Sequence, residues 1–183
     1  MKGVYIFLAN GFEEMEALTP IDILRRLGHE VVIAGLSSLE VCGAHNVRIK
    51  ADILLNKVQS AEFAAVILPG GMPGAKNLYD SDEVLRVLKL AYGAGAILAA
   101  ICAAPIVLAR AGLLAGTRFT AYPGFEEYFP TTKPTGKLVE QDGRIITGCG
   151  PGAAIAFSGR IAAAIGTDAA RLKELAAGMF INF

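Results

Sequence analysis

Histidine is scarce in this chain, and the two that occur, His29 and His45, lie far apart in the sequence. His29 falls in the turn before a predicted strand, and His45 falls in a predicted hairpin turn. The sequence therefore places neither of them beside a candidate nucleophile as a general base. Two distant histidines and three scattered cysteines also lack the ligand spacing of a zinc site, so we expect no metal and no other cofactor.

The chain has no excess of either charge, since 17 Lys and Arg residues balance 17 Asp and Glu residues. A nucleic-acid partner requires a basic stripe, and an anionic membrane surface requires clustered basic residues, so we expect neither partner. A membrane-spanning helix is also unexpected, because the uncharged stretch between Lys89 and Arg110 is broken by Gly93, Gly95 and Pro105. The glycine-rich stretches match neither a phosphate-binding P-loop nor a dinucleotide-binding fingerprint.

The three cysteines, Cys42, Cys102 and Cys149, are an odd number, which favours reduced thiols over a disulfide framework. The first apolar run, residues 4–9, is too short for a secretory signal. Both observations predict a cytoplasmic location. With 183 residues and 54% apolar residues, the chain is expected to form one domain over residues 1–183 with an extensive core.

Short apolar runs alternate with helical patterns along the chain, which predicts an α/β fold: a doubly wound, mostly parallel sheet with helices on both faces. Strands are predicted at residues 4–8, 31–34, 64–68, 96–101 and 119–121, and hairpins at 39–49 and 138–147. Helices are predicted after Asn10-Gly11, after Asp80 or Ser81, and at 103–111, 151–164 and 167–177. Ligands bind beyond the carboxyl ends of such strands. That rule selects residues 10–16, 69–74, 102–105, 122–125 and 149–152.

Cys102 is the first candidate for chemistry, because it stands where an apolar strand turns directly into a helix. Such a turn lifts a nucleophile out of a sheet, and the helix N-terminus favours the thiolate. A buried structural cysteine is the alternative. Cys149, at a similar junction, is a competing nucleophile, although its Gly and Pro neighbours favour a packing role.

Backbone amides and carboxylates on the same predicted edge supply further candidates. The backbone amides of Gly70, Gly71 and Ala103 are candidates for an oxyanion hole, which stabilises developing negative charge. An ordinary turn explains the two glycines equally well. Glu13, Glu14 and Glu16 begin the first helix, where a proton shuttle beside Cys102 is one interpretation and a solvated, dipole-complementing cap is the other. Helical spacing turns Glu14 away from the other two.

These segments, taken in order, resemble the ThiJ/PfpI superfamily, and most closely its YajL and Parkinsonism-associated deglycase branch. The matching motifs are 11–16 (GFEEME), 68–71 with 74–75 (LPGG and GA), 100–105 (AICAAP) and 150–152 (GPG). The resemblance implies a flavodoxin-like sandwich of the class I glutamine amidotransferase type, and a homodimer. Cys102 would be the nucleophile, and Glu16 a protonated acid hydrogen-bonded to its sulfur. Gly70, Gly71, Ala103, Tyr122 and Pro151 would surround the substrate and its oxyanion.

Two departures from the family pattern bear on activity. A histidine often precedes the proline after the elbow helix in this branch, and here Tyr122 precedes Pro123. The protease branch carries histidine directly after the nucleophile, and here Ala103 follows it, which disfavours peptidase activity.

The resemblance leads to three hypotheses for function. The first is a cofactor-independent, glyoxalase- or deglycase-like stress-response enzyme, in which Cys102 attacks a small carbonyl substrate of the 2-oxoaldehyde type. The second is a non-enzymatic redox-sensing or chaperone-like protein that uses an oxidisable Cys102. The third, a role in thiamine metabolism, is suggested by the family name alone.

Overall fold

A computed structural model describes residues 2–58 and 63–183. Within them, seven strands form the central sheet and two form a separate antiparallel hairpin. In chain order the strands are β1 (Gly3–Leu8), β2 (Val31–Gly35), β3 (Glu40–Cys42), β4 (Arg48–Lys50), β5 (Ile53–Leu54), β6 (Phe63–Leu68), β7 (Ile97–Ile101), β8 (Val139–Asp142) and β9 (Ile145–Gly148). The sheet order is β5-β2-β1-β6-β7-β9-β8, with β8 antiparallel to β9 and the other pairs parallel.

Helices cover both faces of the sheet, as the alternating pattern predicts. They are α1 (Glu14–Arg26), α2 (Gly74–Asp80), α3 (Asp82–Gly93), α4 (Pro105–Arg110), α5 (Ala154–Ala164) and α6 (Ala169–Met179). One apolar cluster lies between the sheet and α2, α3 and α4, and a second lies between the sheet and α1, α5 and α6. The central strands are continuous apolar runs because alternate residues face these two clusters, as Ile6 and Phe7 do in β1.

The α/β class and its flavodoxin-like arrangement are confirmed. The five central parallel strands, β2-β1-β6-β7-β9, follow the flavodoxin order 2-1-3-4-5. In that order the ligand crevice opens at the carboxyl ends of the first and third strands, which here are β1 and β6. No helix among the described residues is long and apolar enough to cross a membrane.

The predicted strand at 119–121 is wrong. The Thr120 amide donates a 2.8 Å hydrogen bond to the buried Thr147 hydroxyl, and Phe119 accepts a bond from the Thr135 amide. The backbone hydrogen bonds of this segment are therefore made with a side chain and a loop, and not with a neighbouring strand. The predicted helix at 103–111 begins later, at Pro105, because residues 102–104 form the turn. Helix α2 was not predicted, because the Gly and Pro residues before it indicate only a loop.

Candidate active site

Cys102 follows β7 directly, and its backbone has a positive φ of 64°. Residues with a Cβ atom rarely adopt this left-handed conformation, so the elbow predicted from the sequence is a strained turn. Its amide still donates a 2.9 Å hydrogen bond to the carbonyl of Gly148, which ties the elbow to β9. The half-buried side chain leaves the sheet toward β6 and α1, since an ideal Cβ on Gly70 would lie only 2.7 Å from the Cys102 Cβ.

Glu16 lies in the first turn of α1 and is fully buried, with 0% of its surface exposed. Its Oε2 accepts a 2.8 Å hydrogen bond from the Gly70 amide and would lie 2.7 Å from a Cβ on that glycine. Its Oε1 has no partner among the nitrogen and oxygen atoms of the described residues. A buried carboxylate oxygen without a partner penalises the charged form, so this environment favours a protonated Glu16. The solvated-cap interpretation of this residue is wrong.

Burial raises the pKa of Glu16 to about 7, although the Gly70 amide and the Cys102 side chain act in the opposite direction. Burial and the neighbouring charge of Glu16 together raise the pKa of the Cys102 thiol to about 12, while the amides of Ala103 and Gly71 lower it. The predicted stabilisation of the thiolate by a helix end is thus outweighed by burial and by Glu16. Protonating Glu16 removes the charge that opposes the thiolate, so the two groups titrate as one pair.

Gly70 and Gly71 allow the loop after β6 to approach α1 and the elbow. The Gly70 carbonyl accepts a 2.9 Å hydrogen bond from the Glu13 amide. Gly71 has a φ of +83°, and a Cβ there would lie 2.3 Å from the Glu13 nitrogen. Because no larger residue fits either position, the amide of Gly71 can reach the Cys102 sulfur beside that of Ala103. The predicted anion hole is wrong in one member, because the Gly70 amide donates to Glu16 Oε2, which leaves the amides of Gly71 and Ala103 facing the sulfur.

Tyr122 joins the site through its backbone, since its amide donates a 2.9 Å hydrogen bond to the Cys102 carbonyl. Its side chain is 49% exposed, and its ring packs so closely on Gly150 that a Cβ there would lie 3.2 Å from it. Pro151 lines the same predominantly apolar groove, of about 340 Å³, together with Leu138 and Cys149. The structure thus gathers Cys102, Glu16, Gly70, Gly71 and Ala103 at one point, with Tyr122 and Pro151 alongside.

The contact between Glu14 and the β3–β4 hairpin was not predicted from the sequence. Glu14 Oε1 accepts hydrogen bonds from the amides of His45 at 2.7 Å and Val47 at 3.4 Å, while Oε2 lies 2.8 Å from His45 Nδ1. The bonds to His45 lower the pKa of Glu14 against the opposing effect of burial. Glu14 does face away from Glu16, as its spacing predicts. His29 hydrogen-bonds Thr167 Oγ1 at 2.6 Å, at the opposite edge of the sheet.

Three side chains within the described ranges could hold a cation: Glu13, Glu14 and His45 offer ligand atoms within 4.8 Å of one another. The Glu14 carboxylate, however, is already occupied by the hairpin amides and the His45 ring. We therefore assign this cluster to anchoring the hairpin.

The fold and the site together define a class: flavodoxin-like α/β proteins with a cysteine elbow paired to a buried glutamic acid. Comparison with known proteins identifies the family. The model of the DJ-1/PfpI family matches residues 2–164, and the chain belongs to that family.

Three similar proteins illustrate the relationship. Protein dj-1beta of Drosophila melanogaster is 36% identical over 185 residues, covering 100% of this chain and 98% of the relative. A Pyrococcus horikoshii protein named a deglycase is 33% identical over 127 residues, covering 69% of this chain and 75% of the relative. The solved structure of oxidized Toxoplasma gondii DJ-1 superposes with a TM-score of 0.93 at 34% identity, covering 100% of both chains. The ThiJ/PfpI resemblance is thereby confirmed.

Proposed function

We propose that this protein is a cytoplasmic stress-response enzyme that uses Cys102 to transform 2-oxoaldehydes or their adducts, as a glyoxalase or deglycase does. The observation that carries the proposal is the contact of Cys102 with the buried Glu16, next to the amides of Gly71 and Ala103. A nucleophile, a proton carrier and an anion hole are the parts that addition to a carbonyl requires. The relative named a deglycase supports the same chemistry.

With methylglyoxal, the Cys102 sulfur forms a bond to the aldehyde carbon, and the carbonyl oxygen takes a proton to give a hemithioacetal. The amides of Gly71 and Ala103 stabilise the negative charge that develops on this oxygen. Glu16 then removes the proton from the former aldehyde carbon and returns a proton to the neighbouring carbon, which leaves a thioester. Water hydrolyses the thioester, releases lactate and restores the thiol. The net reaction is addition of water to methylglyoxal, with no external oxidant.

Turnover of methylglyoxal and glyoxal by the purified protein tests this proposal. We expect Cys102→Ser and Glu16→Gln each to lower turnover by at least about 100-fold. Cys42→Ser is the matched control, because Cys42 lies in β3 and contacts the carbonyl of Gly43 rather than the site. Turnover by Cys102→Ser equal to that of the parent would exclude this chemistry.

A second candidate function, redox sensing or chaperone-like protection, is favoured by Tyr122, which stands where related proteins often carry histidine. Without that base the same half-buried thiol can serve mainly as an oxidation site. The oxidized Toxoplasma gondii relative is consistent with this role. An inactive parent protein in which hydrogen peroxide oxidises Cys102 before Cys42 and Cys149, measured by peptide mass spectrometry, would favour this second function.

A further inference from the structure

Two cysteines, Cys102 and Cys149, leave neighbouring strands at the same edge of the sheet. Ile101 of β7 and Gly148 of β9 are register partners in a parallel pair, and the Cys102 amide hydrogen-bonds the Gly148 carbonyl at 2.9 Å. Paired strands lie about 4.8 Å apart. Each cysteine is one residue beyond this pair, so we infer that their Cα atoms fall within the span of roughly 4.4–6.8 Å that disulfides bridge.

The side chains of these two cysteines also share their surroundings. Both are free thiols, both are half-buried, and both pack against the apolar cluster that lies between the sheet and α1, α5 and α6. Cys149 additionally lines the groove beside Tyr122, so a reagent that enters this groove can reach it. Cys42, in contrast, belongs to the separate β3–β4 hairpin.

The Cys102 sulfur faces Glu16 and the amides of Gly71 and Ala103, on the side of β7 away from β9. A bond to Cys149 therefore requires rotation of the Cys102 side chain about χ1. Glycine occupies positions 148, 150 and 152, so no side chain of these neighbours stands between the two sulfur atoms. Forming the bond removes the sulfur from its anion hole.

We propose that Cys149 is the resolving thiol for an oxidised Cys102, and that the pair reduces hydroperoxides. The Cys102 thiolate attacks the terminal peroxide oxygen, breaks the O–O bond and releases water or an alcohol, which leaves a sulfenic acid. The Cys149 thiol then attacks the Cys102 sulfur, the S–S bond forms, and the sulfenic oxygen leaves as water. The two thiols lose two electrons in total, and the peroxide gains them. A dithiol reductant then restores both thiols. This chemistry does not depend on the carbonyl activity.

The consequence is protection of Cys102 from irreversible oxidation. A sulfenic acid that meets no thiol reacts with more peroxide to give a sulfinate, which dithiols do not reduce. With Cys149 one strand away, the disulfide forms first and remains reducible.

Intact-mass and peptide mass spectrometry of the full chain test the proposal after treatment with about three equivalents of hydrogen peroxide, since a sulfinate consumes two peroxides and a disulfide only one. We expect the parent and the matched control Cys42→Ser to lose two hydrogens and to yield a Cys102–Cys149 bridged peptide. We expect Cys149→Ser, and Cys149→Ala if the serine variant folds poorly, to gain two oxygens at Cys102 instead. A dithiol should restore the original mass of the parent but not that of the Cys149 variants.

Four outcomes would overturn the proposal: a Cys102 sulfinate as the main product in the parent, a bridge that involves Cys42, a bridge between two chains, or no oxidation of Cys102. The bridged peptide is sought in the parent itself, so the result does not depend on how any variant folds. Because the readout is mass, the proposal can fail while the carbonyl chemistry stands, and the reverse also holds.

Discussion

At the scale of single residues, the protonation of Glu16 controls the reactivity of the site. The pKa of Glu16 is raised to about 7 by burial, and its charge is one of the causes that raise the pKa of Cys102. The first proton lost by the pair is therefore lost near neutral pH. The singly deprotonated pair reacts faster than the fully protonated pair. If the remaining proton lies on Glu16, Cys102 is a thiolate; if it lies on Cys102, the Glu16 carboxylate can serve as a base for the thiol.

We predict that the alkylation rate of Cys102 by iodoacetamide rises with pH through an inflection near 7, as the pair loses its first proton. In Glu16→Gln this inflection should disappear, because the amide has no proton to lose in that range. The measurement follows the Cys102 peptide by mass spectrometry between acidic and alkaline pH. An inflection at the same pH in both proteins would show that Glu16 is not the titrating group.

Gly70 is a position at which a single added methyl group would press on both Cys102 and Glu16. A Cβ there would lie 2.7 Å from both the Cys102 Cβ and Glu16 Oε2, and 2.9 Å from the Ile101 carbonyl. We predict that Gly70→Ala loses about 1–3 kcal/mol of unfolding free energy through overpacking and also slows alkylation of Cys102. Denaturant melts and alkylation rates provide the measurements.

The matched control for that change is Gly93→Ala, at the end of α3. No atom lies within 4 Å of its ideal Cβ, and the residue is exposed. Alanine is the better helix former, so the control should leave stability unchanged or raise it by up to about 1 kcal/mol. Equal losses in both variants would argue against the tight contact at Gly70.

At the scale of secondary-structure elements, the β3–β4 hairpin depends on α1 for its position. Glu14 is 8% exposed and accepts hydrogen bonds from the amides of His45 and Val47. Gly43 leaves room for the carboxylate, since a Cβ there would lie 2.2 Å from Glu14 Oε1. The start of α1 therefore fixes both Glu16 on one side and the hairpin on the other.

We predict that Glu14→Ala loses about 1–2 kcal/mol of stability, because two hairpin amides lose their acceptor in a part-buried place. Limited proteolysis should then cut the hairpin faster than in the parent. His45→Ala is the control: its side chain is 70% exposed, and its amide keeps the bond to Glu14, so we expect a change within about 0.5 kcal/mol. Similar losses in the two variants would assign the stabilisation to the exposed ion pair instead.

The elements that the sequence predicted well are those with a local cause. Continuous apolar runs predicted β1, β2, β6 and β7, and Asp142-Gly143 predicted the turn between β8 and β9. The errors have non-local causes. Residues 119–121 are of types that favour a strand, yet the Thr120 amide donates its hydrogen bond to the Thr147 hydroxyl, which is distant in sequence.

At the scale of the whole molecule, the topology explains why so much of the site was predictable. Once the strands are parallel, their carboxyl ends share one edge, so Glu16, Gly70, Gly71, Cys102 and Ala103 were expected to meet. The packing that sets their chemistry was not predictable in this way. The full burial of Glu16 and the resulting direction of the Cys102 pKa arise from contacts between segments distant in sequence.

The outer surface of the α1 and α5 layer leads to a final prediction, that two copies of the chain associate through it. Met15 and Leu18 of α1 are 55% and 41% exposed, and Ile155 of the adjacent α5 is 37% exposed. Apolar side chains grouped on neighbouring helices are typical of an interface between subunits. The homodimer expected from the family resemblance would cover them.

We predict that Leu18→Lys shifts the protein from dimer to monomer in light scattering coupled to gel filtration, because a charge would be buried without a partner in the interface. Leu90→Lys is the matched control: Leu90 is also 41% exposed, but it lies on α3, on the other face of the sheet. If the parent is monomeric, or if both variants dissociate equally, the α1 surface is not the interface.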